Sequence, residues 1–449
     1  MQIVSEIFKA YDIRGKVGSE LTVELAEAVG KALADFLDEG AVAVGRDMRP
    51  DSGALADAVI KGLVAQGRDV INIGEVTTDM IYFAVGNGKL AGGAMVTASH
   101  NPGEYNGIKL CREEAKPIGQ ESGLFDIRDS IANDTLKPAA ATPGNIVERD
   151  IAEDWIQHTL SFVDTAKLKE MHIAVDAGNG MAGKIFPEIE PYVPWEIEEM
   201  YFELDGTFPN HEANPLKYET LTDMIAKIKS MNLDGGVAFD GDGDRAFLVD
   251  ETGEVLSGGV MSALIADHFL REYPGSNIVY DIRNSRTVPA VITAAGGTPV
   301  IERVGHAFLK QKMREVNAPF GGEASGHFYF RDNWFADSGL IGAVIGLYVA
   351  GLSGKKLSEL RKKYTHFATI PETNFIVEDK QGAMDRISAA FADNDINLMD
   401  GVTVTIDEST WFNVRGSNTE PVMRLNAEAG SEEALGALVT KVRALIEGK

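Results

Sequence analysis

Cysteine is almost absent from this chain of 449 residues, in which Cys111 is the only one. A single cysteine excludes a framework of internal disulfides and is typical of a reducing compartment, so we expect a cytoplasmic protein. The chain also lacks a basic start followed by a long apolar run, and we therefore expect no signal peptide. Its longest apolar stretch, residues 340–352, is shorter than the roughly 20 residues that span a bilayer, and it predicts a buried helix rather than a membrane segment.

Basic residues are scarce as well. Lys and Arg total 42 against 68 Asp and Glu, so the formal net charge is -26. Such an acidic chain is not expected to bind nucleic acid or an anionic membrane over a broad surface. A small anionic ligand is not excluded, because a pocket can carry local Arg and Lys against the overall sign. We expect a monomer whose partners are small molecules.

The remaining composition predicts a multidomain α/β protein. Apolar residues make up 44% and charged residues 24%, which is typical of a globular chain, and the length predicts about three or four domains. Through most of the chain, short apolar runs alternate with helical patterns, which indicates mostly parallel sheets covered by helices. Residues 134–144 are poor in bulky apolar side chains and predict a linker. The predicted domains are residues 1–145, 146–250, 251–365 and 366–449.

The stretch Thr-Ala-Ser-His-Asn-Pro at residues 97–102 follows a small and apolar run. Pro102 stops a regular helix or central strand, so we expect Ser99 on an exposed loop. A serine hydroxyl reacts only with help from a base, a metal or a phosphate already attached to it. The adjacent His100 would point away from Ser99 on an extended chain. On this stretch alone, a structural turn held by its own polar side chains is an equal alternative.

Three carboxylates, Asp240, Asp242 and Asp244, alternate with glycines in the sequence DGDGDR. They can converge on one hard cation, and without a cation they would repel one another. An EF-hand calcium loop has similar acidic spacing, but Arg245 stands where its turn glycine is required, and the next residues predict a strand. The carboxylates and the adjacent guanidinium favour Mg²⁺ together with a phosphate.

Residues 178–183 match the G-x-G-x-x-G dinucleotide fingerprint and follow a predicted strand at 172–176. A dinucleotide-dependent oxidoreductase is therefore an alternative function. The fingerprint is weak evidence by itself, since a tight turn from strand to helix requires the same glycines for steric reasons.

Two later loops carry groups suited to a phosphorylated sugar. In GGEASGH, residues 321–327, the side chains of Glu323 and Ser325 can bind adjacent sugar hydroxyls, although a hydrogen-bond network within the loop explains them nearly as well. In RGSNTEP, residues 415–421, a guanidinium, two hydroxyls and an amide have the composition of a phosphate site. We expect Arg415 to lie on an exposed loop.

Together these motifs resemble those of the α-D-phosphohexomutases, specifically the bacterial phosphomannomutase/phosphoglucomutase group. They are TASHNP at 97–102, DGDGDR at 240–245, GEASGH at 322–327 and RGSNTEP at 415–421, with FKAYDIRG at 8–15 and VGRDMRPDS at 44–52. The resemblance covers nearly the whole chain. It implies three related mixed α/β domains and a smaller C-terminal α+β domain around a central cleft, and reversible transfer of a phosphoryl group between the 1- and 6-positions of glucose and mannose.

The resemblance also implies roles for individual residues. Ser99 would be stored as phosphoserine, Mg²⁺ would be held by Asp240, Asp242, Asp244 and a phosphate oxygen on Ser99, and hexose 1,6-bisphosphate would be the intermediate and activator. The implied catalytic residues are Ser99, His100, Lys109, Arg245 and His327. The implied substrate-binding residues are Tyr11, Arg14, Arg283, His306, Glu323, Ser325, Arg415, Ser417, Asn418 and Thr419.

Alternatives to this assignment are a mutase for another phosphosugar, such as glucosamine phosphate, and a catalytically silent phosphosugar-binding protein. The intact Ser99 and carboxylate triad argue against the silent protein. Ala324 stands where close relatives often carry Met, which leaves the fine substrate preference open. For Tyr11, a place in the buried core is an alternative to a role in binding.

Overall fold

The computed structural model describes residues 4–416 and 422–448, whose strands form four sheets in succession along the chain. The first sheet has the strand order β1-β5-β4-β2-β3-β6. Its strands are β1 (Ile13–Lys16), β2 (Val42–Arg46), β3 (Val70–Glu75), β4 (Gly92–Val96), β5 (Tyr105–Arg112) and β6 (Ile146–Glu148). Its helices are α1 (Val23–Phe36), α2 (Ser52–Ala65), α3 (Thr78–Gly88) and α4 (Leu124–Ala132).

The second and third sheets have the orders β11-β10-β9-β7-β8 and β13-β12-β14-β15-β16. The second unit contains α5 (Ala152–Leu160), β7 (Met171–Asp176), α6 (Ala182–Ile185), β8 (Trp195–Met200), α7 (Thr222–Met231), β9 (Gly235–Phe239), β10 (Ala246–Asp250) and β11 (Val255–Leu256). The third contains α8 (Gly258–Glu272), β12 (Asn277–Asp281), α9 (Thr287–Ala294), β13 (Thr298–Glu302), α10 (His306–Val316), β14 (Phe320–Gly322), β15 (Phe328–Phe330), β16 (Ala336–Asp337), α11 (Gly339–Ser353) and α12 (Leu357–Lys363).

The fourth sheet has the order β17-β22-β21-β20-β19, with β18 also paired to β22. All its pairings are antiparallel. Its elements are β17 (Ala368–Thr369), β18 (Thr373–Ile376), α13 (Lys380–Ala390), β19 (Asp395–Asn397), β20 (Val402–Thr405), β21 (Trp411–Gly416), β22 (Val422–Ala429) and α14 (Glu432–Glu447). This is the smaller α+β domain that the sequence predicts.

The first three sheets repeat one arrangement. In each, a central strand pairs in parallel with two neighbours, and one of these neighbours then forms an antiparallel hairpin. The central strand is β2, β7 or β12, and the hairpin is β4–β5, β9–β10 or β14–β15. The serine motif, the carboxylate triad and the GEASGH motif occupy these three hairpin connections. The predicted architecture of three related mixed α/β domains is confirmed, and its repetition places the three motifs at equivalent positions.

Helix α1 illustrates how the sequence pattern produces these elements. Leu25, Val29 and Leu33 recur every four residues and are buried, so they form one apolar face. The hydroxyl of Thr22 accepts a hydrogen bond from the backbone N–H of Leu25, which caps the first turn. The predicted helix at residues 23–37 is confirmed to within one residue.

One continuous apolar cluster includes residues of the first three domains, although the first domain also has a separate core around α1 and α2, and the fourth has a core of its own. Helix α11 lies in the shared cluster, as the long apolar stretch predicts, and Ile341, Val344 and Ile345 are fully buried there. Within residues 4–416 and 422–448, no single helix is long and apolar enough to cross a membrane. Helices α11 and α12 pass that test only together, and they are bent by 97°.

Polar contacts connect the fourth domain to the third. The carboxylate of Glu428 accepts hydrogen bonds from the hydroxyl of Ser285 and, at 2.8 Å, from the backbone N–H of Arg286. The backbone N–H of Val304 donates to Asp400 at 3.0 Å. Loops of the third domain are thereby held against the fourth.

Two sheets extend slightly past the predicted domain boundaries. Strand β6, after residue 145, pairs with β3 of the first sheet, and β11, after residue 250, pairs with β10 of the second.

The glycines of residues 178–183, which match the dinucleotide fingerprint, are explained by close packing of the backbone. Gly178 and Gly180 precede a helix of only four residues, and Gly183 lies within it. A Cβ on Gly180 would lie 2.7 Å from the carbonyl oxygen of Gly241, so this glycine allows two loops to touch.

Candidate active site

Ser99 lies between the first and second domains and is only 5% exposed. The prediction of an exposed loop is therefore wrong, because the carboxylate loop of the second domain covers it. A Cβ on Gly241 would lie 2.5 Å from the carbonyl oxygen of Ser99, so only glycine permits this approach. The backbone of Ser99 is left-handed, with φ of 50°, and its N–H donates to the Thr97 hydroxyl at 2.9 Å. A left-handed non-glycine residue is strained and typical of a functional turn.

The hydroxyl of Ser99 contacts three polar side chains. It donates to Asp240 Oδ2 at 2.7 Å, lies 3.1 Å from His100 Nδ1, and accepts from the guanidinium of Arg245 at 3.3 Å. The expectation that His100 points away is wrong, because the positive φ of Ser99 breaks the alternation of an extended chain. Arg245 also donates to His100 Nδ1, so the neutral ring carries its proton on Nε2.

The carboxylates of Asp240, Asp242 and Asp244 are buried and offer oxygens within 4.8 Å of one another. The ammonium of Lys109, from β5, lies 2.7 Å from Asp242 and 2.6 Å from Asp244. One oxygen each of Asp242 and Asp244 has no hydrogen-bond partner among the described residues. Strands β9 and β10 form a hairpin around this triad, as expected once the EF-hand is rejected.

Two helices begin at the carboxylate loop. The backbone N–H of Thr78, the first residue of α3, donates to the carbonyl of Asp242 at 3.0 Å, and its hydroxyl donates to the carboxylate at 2.6 Å. The first residue of α11, Gly339, is so close that a Cβ would lie 2.5 Å from the carbonyl oxygen of Gly243. Helix N-termini carry partial positive charge, so both helices stabilise a loop rich in carboxylates.

Burial and neighbouring charges shift the pKa values of the three carboxylates in different directions. Burial raises the pKa of Asp240 to about 7, although Arg245 acts in the opposite direction. Burial also acts to raise the pKa of Asp242 and Asp244, but Lys109 outweighs it, so that both pKa values are lowered. The two carboxylates in turn raise the pKa of Lys109 despite its burial. Lys109 is therefore a firmly protonated ammonium.

The GEASGH loop of the third domain faces the carboxylate loop. His327 contacts Ser325 and Glu323 through Nδ1, at 3.1 and 3.3 Å, and Asp244 through Nε2, at 3.3 Å. Burial acts to lower the pKa of His327, but Asp244 and Glu323 outweigh it and raise the pKa to about 10. The backbones of His327 and Arg245 also form an isolated antiparallel bridge. His327 thus joins the second and third domains.

Glu323 is held in place by its neighbours. One oxygen accepts from the hydroxyl of Tyr329 at 2.8 Å, and the other accepts from the backbone N–H of Gly305 at 3.0 Å. The guanidinium of Arg283 lies 3.8 Å away. Although burial acts to raise its pKa, His327 and Arg283 lower it strongly, so Glu323 is a carboxylate and an acceptor for hydroxyl groups.

Tyr11 and His306 lie at the junction of the first and third domains. Their ring centroids are 5.3 Å apart, and the Tyr11 hydroxyl donates to the carbonyl of Val304 at 2.9 Å. Tyr11 is half-buried at this boundary rather than enclosed in the core. Burial lowers the pKa of His306 to about 3, so its ring is neutral. Arg14 instead contacts the serine loop, donating to the amide oxygen of Asn101 at 2.8 Å.

Arginines from two domains meet at Glu372. Arg415 donates to its carboxylate at 2.9 Å, while Arg424 and Arg283 lie 3.5 and 3.9 Å away. The prediction that Arg415 is exposed is wrong: it is 5% exposed, because it belongs to β21 and packs against this cluster. The predicted residues Ser417, Asn418 and Thr419 lie outside the described residues.

Family models match the chain along nearly its whole length. The α/β/α domains I, II and III of phosphoglucomutase/phosphomannomutase match residues 5–137, 153–253 and 257–367, and the C-terminal domain matches 372–445. The chain belongs to the phosphoglucomutase/phosphomannomutase family. The predicted family is confirmed, and the protein is a hexose phosphate mutase.

Individual relatives agree with this assignment. The mutase is 42% identical over 432 residues to the phosphohexose mutases of Xanthomonas campestris pv. campestris (strain B100), covering 95% of this chain and 96% of the relative. It is 40% identical over 432 residues to the phosphomannomutase of Salmonella typhimurium (strain LT2), covering 94% of each. A crystal structure of a phosphoglucomutase/phosphomannomutase family protein from Burkholderia thailandensis superposes with a TM-score of 0.91 at 30% identity, covering 100% of this chain and 98% of that one.

The carboxylate triad of the mutase suits a divalent cation. It provides three buried carboxylates in mutual reach, two of which have an oxygen without a hydrogen-bond partner among residues 4–416 and 422–448. Hard cations such as Mg²⁺ prefer carboxylate oxygens. The residues therefore fit the predicted metal.

Two residues of the mutase site were missed from sequence. Thr78, at the start of α3, donates a hydrogen bond to the carboxylate of Asp242. Glu372 contacts three arginines, one from the β12–β13 connection and one each from β21 and β22. Neither stands in a recognisable pattern, since one begins an ordinary helix and the other precedes an ordinary strand. Their roles depend on contacts between segments that are distant in the sequence.

Proposed function

We propose that this mutase interconverts the 1- and 6-phosphates of glucose and of mannose through a phosphoserine at position 99 and a hexose 1,6-bisphosphate intermediate. The observation that carries the proposal is the position of Ser99 Oγ, 2.7 Å from Asp240 and 3.3 Å from Arg245. A phosphate carries about -2 charge, and such a group beside three carboxylates requires cations around it. A coupled mutase assay with a panel of hexose phosphates tests the proposal.

The proposed reaction exchanges one phosphorus–oxygen bond for another. The bond between Ser99 Oγ and phosphorus breaks while phosphorus bonds to the free hydroxyl oxygen of the sugar phosphate, which loses its proton. The bisphosphate then returns its other phosphoryl group to Ser99, and the vacated sugar oxygen gains a proton. Positioning and charge neutralisation supply most of the catalysis in such transfers.

Each predicted catalytic residue has a place in this scheme. Arg245 donates to Ser99 Oγ and therefore stabilises the charge that develops there as the phosphoryl group departs. His100 lies within reach of the same oxygen and orients it or shares its proton. To Lys109 and His327, which flank the triad, we assign proton exchange with the sugar oxygen, because a cation on Asp242 and Asp244 would weaken the carboxylate contacts that keep both groups protonated.

Mg²⁺, held by Asp240, Asp242, Asp244 and the phosphate on Ser99, would act as a Lewis acid that neutralises the transferred group. The residues of the chain complete the charge balance. Arg245 pairs with Asp240 at 2.7 Å, and Lys109 with the other two carboxylates. The proposed metal is supported by its donor set, the three buried carboxylates that lie within reach of one another.

We expect the enzyme to convert glucose 1-phosphate and mannose 1-phosphate with kcat/KM values within about a hundredfold, or under about 3 kcal/mol. The two sugars differ at the 2-hydroxyl. Glu323 and Ser325, by resemblance, contact the 3- and 4-hydroxyls, and a site indifferent to one position cannot discriminate there. Side-by-side kinetics check this. Background turnover of mannose 1-phosphate beside robust glucose turnover would mean that another residue contacts the 2-position.

Glucosamine phosphate is the second candidate substrate, and Ala324 is the observation that keeps it open. This residue lies between Glu323 and Ser325 in the sequence, where close relatives often carry Met. Including glucosamine 6-phosphate in the substrate panel separates the two candidates.

We expect Arg415→Ala to raise KM while leaving the protein folded, because Arg424 and Arg283 still lie beside Glu372 when Arg415 is removed. Arg415 would hold the phosphate that is not reacting, and a charge-assisted hydrogen bond contributes about 1.5 to 3 kcal/mol, so kcat/KM should fall roughly 10- to 150-fold. Steady-state kinetics measure this. Arg386→Ala is the control, because Arg386 binds backbone carbonyls on the outer side of the same domain. An unchanged kcat/KM in Arg415→Ala would make the residue structural.

We also propose that the enzyme works as a cytoplasmic monomer. The acidic composition and the single, buried Cys111 support this. Sedimentation of the purified protein and fractionation of its host test the two parts separately.

A further inference from the structure

Arg49 occupies an unusual position beneath the serine loop. It follows β2, is 2% exposed, and donates to four backbone carbonyls of one short segment. Its two terminal nitrogens reach the carbonyls of Ser99, Asn101, Pro102 and Tyr105 at 2.8, 2.6, 2.9 and 2.9 Å. Three of these carbonyls belong to the connection between β4 and β5 that presents the nucleophile, and the fourth belongs to Tyr105, the first residue of β5.

The guanidinium is itself fixed from two directions. Its Nε lies 3.2 Å from the carboxylate of Asp47, which is completely buried. On the other side, it lies 5.1 Å from the centre of the Phe208 ring, a cation–π contact with the second domain. These two contacts fix the position of the Arg49 guanidinium, and the serine loop packs against it.

The loop that carries Phe208 also touches the serine and carboxylate loops. A Cβ on Gly206 would lie 2.5 Å from Cα of Arg49, and one on Gly103 would lie 3.0 Å from the carbonyl oxygen of Gly206. A Cβ on Gly241, in the carboxylate loop, would lie 3.3 Å from the Phe208 ring. The Phe208 ring thus lies next to both Arg49 and the carboxylate loop.

We infer that Arg49, fixed by Asp47 and Phe208, is a positioning residue that holds Ser99 in its left-handed conformation and at its distance from the carboxylate triad. The inference rests on the proposed phosphoserine chemistry, since it concerns the accuracy with which that group is presented. One planar guanidinium that donates to four carbonyls restricts the conformation of the loop, which separate water contacts would not do. A compact ammonium cannot reproduce two pairs of divergent hydrogen bonds.

The test is Arg49→Lys, which keeps a positive charge beside Asp47 but loses most of the carbonyl contacts. Displacing reacting groups by about 1 Å costs on the order of 100-fold, so we expect kcat to fall by about that factor while KM for glucose 1-phosphate changes little. The phosphorus-31 resonance of the phosphoserine should shift or broaden. A uniformly destabilised protein would not show this separation of kcat from KM.

Arg68→Lys is the matched control. Arg68 lies in the same domain and also donates to backbone carbonyls, those of Ala34, Leu37 and Asp38, but on the face away from Ser99. We expect it to lower the melting temperature as Arg49→Lys does, with unchanged kcat and an unchanged phosphoserine resonance. Wild-type kcat in Arg49→Lys would overturn the inference.

If Arg49→Lys does not yield folded protein, Phe208→Leu decides, because it releases the guanidinium without leaving a buried charge unpaired. We then expect a lower kcat at similar KM, and an unchanged kcat would overturn the inference. Intact-mass analysis of the wild type keeps the two hypotheses apart. A wild type without phosphate on Ser99 removes the proposed function, whereas a phosphorylated wild type with a fully active Arg49→Lys removes only the role of Arg49.

Discussion

Ser99→Ala is expected to lose turnover by on the order of 10⁴-fold or more, because the covalent carrier of the phosphoryl group disappears. The loss should persist when hexose 1,6-bisphosphate is added, since no residue remains to receive its phosphate. Folding should be almost unaffected. The substitution removes one hydroxyl, and the backbone contacts of the loop with Thr97 and Arg49 remain.

Ser130→Ala is a suitable control for this prediction, because Ser130 lies in the same domain and its hydroxyl bonds only a local backbone carbonyl. Intact-mass analysis and peptide mapping should find phosphate on Ser99 in part of the purified wild type and none there in the variant. Full multiple turnover by Ser99→Ala in the absence of added bisphosphate would rule out the phosphoserine mechanism.

The sequence suffices to predict most of the elements and the three loops that meet at Ser99, whereas most of the RGSNTEP loop lies outside the described residues. Periodicity gives α1 and the buried α11, and the local residue types of DGDGDR and GEASGH indicate their chemistry without knowledge of the fold. Periodicity could not predict that the loops occupy equivalent positions in the first three domains. That equivalence arises because three sheets repeat one hairpin, and it brings the motifs at residues 97–102, 240–245 and 322–327 to one point.

Most of the errors share one physical cause, which is contact between segments that are distant in the sequence. Ser99 and Arg415 have the local signature of exposed loops, and each is buried by a segment distant in sequence. His100 points towards Ser99 only because the backbone there is left-handed. Thr78 acquires its partner only when two domains meet, and Glu372 pairs with Arg415 and Arg424 of its own domain and with Arg283 of the third. Properties of this kind depend on tertiary packing, so no local pattern encodes them.

Lys109→Met is expected to lower kcat by about 10² to 10⁴-fold and to make the stability of the protein depend on magnesium. The ammonium of Lys109 is 11% exposed and lies within 2.7 Å of two carboxylates that are 0% and 2% exposed. Breaking a buried pair on one side costs about 3 to 5 kcal/mol, because the remaining charges are unpaired. The metal-free variant should therefore melt at a lower temperature than the wild type.

Magnesium should reverse much of that loss, since a ligand that binds only the folded state stabilises it according to its concentration and affinity. We expect the rise in melting temperature on adding Mg²⁺ to be larger in Lys109→Met than in the wild type, although activity stays low. Lys61→Met is the control: Lys61 lies 2.7 Å from Glu27 in the same domain, but it is 72% exposed, and surface pairs contribute little. Its response to Mg²⁺ should equal that of the wild type. An equal response in Lys109→Met would mean that the ammonium and the cation do not neutralise the same carboxylates, and the assignment of Asp242 and Asp244 to the metal would have to be abandoned.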